Sequence, residues 1–336
     1  MAVDRGFTGP LAGIAILGAG AALVYGAQMA LSPYLVTLLA IMLINVALAV
    51  SLNIGNGLAG LFSLGHPAFM TIGAYASAIL TFPPGRKDFM LPDLPSFLMT
   101  TQLPLLPALA VAGMIGAVVA FLVGLPVLRL KGHYLAVATL GLIVIVQGLA
   151  TNWTGLTRGG SGLNGIPRLT GIWWCFGFAV LVVYTALRLK FSSLGRAMMA
   201  TRENALAAES AGVSTYRIRM LAFVLGAFFA AVAGGLMVHL ITVVTPRSYS
   251  VVLAFNLVAM VVIGGTGSIT GSIVAAVALT GLSEAVRPLE ERLGLYGLSQ
   301  VIVALGLLLV LFFRPNGLLG SGEPRFVRRI FGGSLA

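Results

Sequence analysis

Charge is what this sequence has least of. Nine acidic and twenty basic residues in 336 make 9% charged in all, against about 25% in soluble chains. Apolar residues fill the difference, at 59% of the chain and a mean hydropathy of +1.04. A soluble domain of this length would bury such a core and have too little polar surface left to cover it. Cysteine is nearly absent too. Cys175 is the one thiol, which excludes an internal disulfide and a zinc site built on cysteines. His66, His133 and His239 are far apart in sequence and have no second ligand at helical spacing, so no metal site is expected. None of the three lysines, Lys87, Lys131 and Lys190, follows a glycine. The G-x-x-x-x-G-K-[ST] loop is therefore missing, and the chain has no such means of cradling a nucleotide phosphate. No cofactor is expected.

What is present is apolar length. Residues 6–85 carry no Asp, Glu, Lys or Arg, and further charge-free windows cover 94–128, 132–157, 169–187, 220–246, 248–283 and 293–313. Each is near or above the roughly 20 residues that cross a bilayer as a helix. Alternating strands of about ten residues, the mark of a membrane barrel, do not occur. The fold class is an all-α polytopic membrane protein of about ten spans, some short or broken. Breakers place them near 11–30, 34–54, up to Leu80, 104–128, 134–151, 172–189, 217–240, 249–265, 269–286 and 297–313. The 248–283 window is too long for one span at 1.5 Å per residue and short for two. The run Gly264-Gly265-Thr-Gly267-Ser-Ile-Thr-Gly271 is expected to turn the chain between two short helices. The apolar run from Leu11 to Val24 is read as a retained first span rather than a signal peptide, since Ala27-Gln-Met-Ala30 is not a cleavage site of the A-x-A kind.

Lys and Arg set the orientation. With both termini in the cytoplasm, 13 of the 20 basic residues fall inside and 7 outside, as the positive-inside rule requires. The net charge of +11 is then a signal of topology, and no nucleic-acid partner is expected. The acidic residues lie outside the charge-free windows or at their margins. Carriers driven by protons or sodium keep an ionisable group within the membrane. Glu284 is the one acid near enough to consider, and its neighbours Arg287, Glu290, Glu291 and Arg292 suggest a solvated loop. The driving energy is expected to come from another chain.

The most informative stretch is a polar island, Arg188–Arg219, with eight charged residues between long apolar segments. Within it a helix over 202–211 is expected, with Thr201 as its cap, Glu203 in its first turn and Gly212 as its stop. Small residues Ala205, Ala207, Ala208 and Ala211 keep its surface low, as a helix seated in a partner's groove requires. An ordinary solvated connector is the other reading.

The island, with Ser193-Leu-Gly195-Arg196, Arg202-Glu203-Asn and Ala207-Ala-Glu209-Ser-Ala-Gly212 in order, resembles the EAA-type cytoplasmic loop of ATP-binding-cassette importer permeases. Its Ala-Ala-Glu replaces the strict Glu-Ala-Ala. Three further segments resemble the branched-chain amino acid permease family in order: Leu52–Phe69, Leu128–Leu140 and Thr157–Pro167, with Phe313-Arg-Pro-Asn-Gly317 near the end. The likeness covers roughly residues 35–320, leaving out the first 30 residues and the tail. It implies one permease domain over 1–320, with a coupling loop at about 190–217 and a short basic cytoplasmic tail at 321–336. It also implies a bacterial inner-membrane importer subunit whose partners are a second homologous permease (a hetero-dimer), two cytoplasmic ATPases and an extracytoplasmic substrate-binding protein. Glu203, Ala207, Ala208, Glu209 and Gly212 would contact the ATPase. Asn53, Asn56, Ser63, His66 and Phe69 would line the pathway, although a lone buried histidine is also satisfied by simple packing. Thr157, Gly160, Ser161 and Asn164 would face the binding protein. A related permease for urea, short amides or a sugar such as ribose shares this architecture. An intramembrane hydrolase built on Ser63 or Ser161 lacks a base aimed at the nucleophile, and the chain is not expected to be an enzyme.

Overall fold

The computed structural model describes residues 8–130, 132–295 and 297–331, excepting the side chains of 8–16 and Arg329. Arg5 and Lys131, two cations counted on the inner side, and residues 332–336 of the tail lie outside the described residues. Proline and glycine punctuate the helices as the sequence suggests. Helix α1 (Thr8–Ala30) gives way to α2 (Pro33–Asn53), which opens on Pro33 in its first turn, where the missing N–H costs nothing. After α2 the coil widens into a π turn over Ile54–Leu58, loses helical form, and restarts as α3 (His66–Thr81) behind Pro67. Short helices α4 (Pro84–Met90) and α5 (Ser96–Thr100) fill the next loop. Next come α6 (Leu105–Val127), α7 (His133–Asn152) and the single turn α8 (Thr154–Thr157). Strand β1 (Leu163–Asn164), α9 (Ile172–Lys190), α10 (Ser193–Glu203) and α11 (Ala205–Ser210) follow. Helix α12 (Thr215–Ile241) ends at β2 (Val243–Val244), and α13 (Val251–Gly264), α14 (Ile269–Leu293), α15 (Leu298–Phe313) and α16 (Arg325–Phe331) complete the chain.

The fold is all-α apart from the antiparallel pair Leu163↔Val244 and Asn164↔Val243. Among the described residues, six helices are long and apolar enough to cross a membrane: α2 with its π turn, α6, α7, α9, α12 and α14; α13 and α15 are shorter apolar helices. Helix α12 is the centre. Of its most apolar stretch 72% is buried, against 33% to 50% for the other five. It packs on α3, α6 and α2. The α3–α12 crossing is set by glycine: a Cβ on Gly73 would stand 2.0 Å from the Ala231 carbonyl oxygen, and one on Gly234 would stand 2.1 Å from that of Met70. Small residues let the backbones meet, which is how helices associate where lipid gives no hydrophobic gradient between them. Helix α15 is the opposite case, with Val303 its one buried residue and Leu308, Phe312 and Phe313 exposed, an apolar surface that suits a lipid bilayer.

Two expectations are corrected here. The turn at 265–268 exists, with Gly265 and Gly267 at φ 111° and 91°, but the helix after it is not short. Helix α14 continues for 25 residues to Leu293, through Pro288. Glu284, Arg287, Glu290, Glu291 and Arg292 are therefore on its last turns rather than in a loop. Their ion pairs at (i, i+3) and (i, i+4), Arg287 to Glu284 at 3.6 Å and Arg287 to Glu291 at 3.8 Å, explain how a charged stretch stays helical.

Candidate functional site

The site is built around the break between α2 and α3. Its sequence Ile54-Gly-Asn-Gly-Leu, with Gly60 soon after at φ 67°, supplies little side-chain volume to hold a regular coil. Non-helical backbone at membrane depth survives only inside protein or beside a water-filled path, and here its polar groups are met from within. Asn56 Nδ2 donates to the Ser63 carbonyl at 3.0 Å, and the Ser63 N–H donates to Asn56 Oδ1 at 3.1 Å. Thr139 Oγ1, on α7, accepts from the Leu64 N–H at 2.9 Å. The far end of the break is thus sewn shut by side chains.

Four of the five expected pathway residues come together. Asn56, Ser63, His66 and Phe69 line a small cavity of about 10 Å³ with Ser51 on α2 and Gly226 on α12. His66 Nε2 is hydrogen-bonded to Ser51 Oγ at 3.2 Å, a partner 15 positions away that sequence reading missed. Asn53 is elsewhere. Its Nδ2 donates to the Ser268 carbonyl at 2.8 Å and Ser272 Oγ at 2.9 Å, and its Oδ1 accepts from the Gly267 N–H at 2.9 Å. It thereby fastens α2 to the α13–α14 turn. A second cavity of about 240 Å³ lies against Gly60, Phe62, Gly132, His133 and Arg219. Leu61, only 3% exposed, lines both cavities. Ser161 is exposed, and Ser63 Oγ accepts from the Gly65 N–H at 3.3 Å. Neither hydroxyl has a histidine partner among the described residues.

The polar island folds as two helices, which corrects the single helix over 202–211. Thr201 is inside α10, its hydroxyl donating back to the Ala197 carbonyl at 2.9 Å. The cap belongs to Asn204, in extended backbone, whose side chain accepts from the Ala207 N–H at 3.1 Å. Asparagine outcompetes threonine as a cap because its short amide oxygen meets an orphan N–H without a branched Cβ. Gly212 does close the second helix. At φ 82° it allows the Val213 N–H to reach the Ala208 carbonyl at 2.9 Å while its own N–H reaches that of Glu209 at 2.9 Å, the paired bonds of a left-handed helix stop. Glu203 and Ala207 are exposed and Ala208 is buried. Glu209, also exposed, accepts from Thr215 Oγ1 at the start of α12. Sequence reading overlooked Leu206, which is 77% exposed in the middle of the pair. The available signal was its being a large apolar residue among alanines in an otherwise polar segment.

At the other end of α12, Thr157 is buried and used internally: its Oγ1 donates to the carbonyls of Ala150 at 2.5 Å and Trp153 at 2.8 Å. Gly160, Ser161 and Asn164 are exposed. Two side chains steady this end. Arg86 Nη1 donates to the Gly165 carbonyl at 2.9 Å. His239 is hydrogen-bonded through Nδ1 to the Pro167 carbonyl at 2.9 Å and through Nε2 to Ser77 Oγ at 3.0 Å.

Comparison with known proteins gives the family. The family model described as "branched-chain amino acid transport system / permease component" matches residues 34–312. The high-affinity branched-chain amino acid transport system permease protein LivM of Salmonella typhimurium is 33% identical over 317 residues, covering 84% of this chain and 69% of that protein. Its counterpart named LivH, from Escherichia coli, is 25% identical over 295 residues, covering 82% and 91%. The autoinducer 2 import system permease protein LsrC of Shigella flexneri is 30% identical over 161 residues, 43% of this chain and 45% of its own length. No solved structure is a significant match. Broken helix, capped helix pair and family match coincide: this chain belongs to the branched-chain amino acid transport system permease family.

Proposed function

We propose that the chain is one of the two membrane-spanning subunits of an ATP-driven importer for branched-chain or other hydrophobic amino acids. It crosses the inner membrane of a bacterium about ten times, α1, α3, α13 and α15 joining the six longer spans. Both termini and the α10–α11 pair are cytoplasmic, as the 13-to-7 split of basic residues favours. A homologous permease completes the dimer; the similarity of the chain both to LivM and to LivH supports a hetero-dimer. Of two ATPases, one seats this chain's α11 in its groove and meets Leu206, Ala207, Glu203 and the face around Glu209 and Gly212, while the other engages the partner permease. A substrate-binding protein docks on Gly160, Ser161 and Asn164. The observation that carries the reading is the exposed, capped helix pair α10–α11 directly beside a broken membrane helix in a chain of this family.

Transport alternates access across the break. Leu61, the residue shared by the small cavity beside His66 and the larger one beside Arg219, is the gate on this reading. The test is reconstitution of the chain with its partner permease, ATPases and binding protein in proteoliposomes. ATP-dependent uptake of labelled leucine, isoleucine or valine is expected, with no hydrolysis by this chain alone. Uptake of urea, acetamide or ribose in place of the amino acids would move the substrate class, and uptake without ATPases would overturn the mechanism.

A further inference from the structure

The turn between α13 and α14 is gripped by three charged side chains that the transport reading has not used. Arg202, in the last turn of α10, donates Nη1 to the Gly57 carbonyl at 2.7 Å and to the Thr266 carbonyl at 3.2 Å. Gly57 is in the closing turn of the π segment, where carbonyls have no helical N–H left to accept from. The stem of Arg202 also touches the break from its other side: a Cβ on Gly60 would lie 3.1 Å from Arg202 Cα, Cβ and Cγ. Gly60 immediately precedes Leu61, the residue shared by the two cavities. One side chain of the cytoplasmic pair therefore holds both edges of the interruption in α2.

The neighbouring peptide, at Gly267, is clamped in the same way. Its N–H donates to Asn53 Oδ1 at 2.9 Å, and its carbonyl accepts from Lys190 Nζ at 2.6 Å. Lys190 is buried and paired with Glu323 at 2.7 Å, with side-chain exposures of 6% and 0%. Glu323 comes from the tail, beyond the span that the family model matches. Its carboxylate also accepts from the Ile269 N–H at 2.6 Å, the Thr270 N–H at 3.1 Å and Thr270 Oγ1 at 2.6 Å. These are orphan donors at the start of α14, where the helix dipole favours a negative charge. No slack remains: a Cβ on Gly57 would fall 1.7 Å from Asn53 Oδ1 and 2.4 Å from the Gly267 nitrogen. Coupling between sites needs a contiguous packed element that both can bias, and this cluster is one.

On the reading that ATPases act on α10–α11, we propose that Arg202 is a positioning residue for transport. Its guanidinium carries displacement of the cytoplasmic pair onto the broken end of α2, at Gly57 and Gly60. The Gly267 peptide, held by Asn53 and by Lys190 under the lock of Glu323, passes the same displacement to α14. The visible salt bridge of Arg202, to the exposed Glu203 at 3.6 Å, is a surface pair that contributes little. The bonds to the two backbone carbonyls are the ones that join elements 145 and 64 positions apart.

The test compares Arg202→Met, Arg202→Lys and wild type in the complete importer in proteoliposomes, reading leucine uptake and ATP hydrolysis together. Wild type must first show ATP-dependent uptake; its absence would remove the importer reading itself and is thereby distinguished from failure of this proposal. Arg202→Met is expected to assemble with the ATPases and hydrolyse ATP while uptake per ATP falls by about tenfold or more, the range of ordinary coupling free energies. Arg202→Lys, which keeps the charge but replaces the planar guanidinium with a shorter-reaching ammonium, is expected to fall between the two. Where the Met variant does not accumulate, the Lys variant decides the matter by the same ratio. Uptake per ATP equal to wild type in the folded variants, or uptake and hydrolysis falling in proportion alongside a lower melting temperature, would reduce Arg202 to a structural residue and overturn the proposal.

Discussion

The two ends of α12 solve the same problem with different chemistry. At the β1–β2 end, the bonds come mostly from neutral groups: Thr157 donates to the Ala150 and Trp153 carbonyls, and His239 meets the Pro167 carbonyl and Ser77 Oγ, with Arg86 on the Gly165 carbonyl as the charged exception. At the α10–α11 end, full charges reach across the sequence. Lys190 pairs with Glu323, 133 positions on, and Arg202 reaches Gly57, 145 positions back. Mostly neutral bonds hold the first end together and leave Gly160, Ser161 and Asn164 exposed. Long-range charged bonds tie several helices into one body, so that moving one moves the others. On the proposed function, the first end would serve recognition and the second transmission.

The sharpest break in this contrast comes from Glu323→Ala. It strands Lys190 in a buried site with only the Gly267 and Ser321 carbonyls as partners and takes the carboxylate from the Ile269 and Thr270 N–H groups at the start of α14, so a loss of about 3–5 kcal/mol is expected. Lys190→Met should cost less, about 2 kcal/mol, because the carboxylate left behind still has the N–H groups of Ile269 and Thr270 and the helix dipole. Melting of the purified chain in detergent would check the order, and a Lys190→Met cost larger than that of Glu323→Ala would show that the dipole and caps do not hold the carboxylate. At the other end, Thr157→Val keeps the shape and removes one hydroxyl. About 1–2 kcal/mol should be lost, with ATPase co-purification unchanged. A loss of ATPase binding in that variant would erase the functional distinction between the ends.

The sequence made one end more legible than the other. Charge-free windows found the membrane helices, and Gly264–Gly271 announced the α13–α14 turn, because a chain in lipid has few ways to satisfy its backbone. The broken segment was legible from Asn, Gly and Pro in Asn53–Pro67. What the residues did not reveal was partnership at long range. Ser51 with His66, Arg202 with Gly57 and Lys190 with Glu323 depend on which helices pack together, and no local pattern carries that. The island failed in a smaller way. The expected cap is Thr201, whereas the cap found is Asn204, in extended backbone between α10 and α11. The tail resembled nothing, so Glu323 looked like one more surface acid; only the packing of α9 on α14 exposes its role.

The smallest expected effect on stability is paired with a large one on assembly, and it concerns Leu206. A leucine 77% exposed on a six-residue helix contributes almost nothing to this chain's own fold, so Leu206→Ser should shift stability by no more than about 0.5 kcal/mol. If α11 seats in an ATPase groove, that same side chain is the one large apolar anchor the helix offers between Asn204 and Gly212, and anchors of this kind carry most of an interface's energy. Glu209→Lys should weaken the same contact but also disturb the bond from Thr215 that joins α11 to α12, mixing two effects. Gly212→Pro would do so more severely, since proline cannot adopt the φ of 82° found there. Leu206→Ser is free of both complications. Normal abundance and melting, with co-purified ATPase reduced severalfold, would assign α11 to the partner. Normal co-purification and normal uptake would leave α10–α11 as a connector, and the contrast between the two ends would then be one of stability alone.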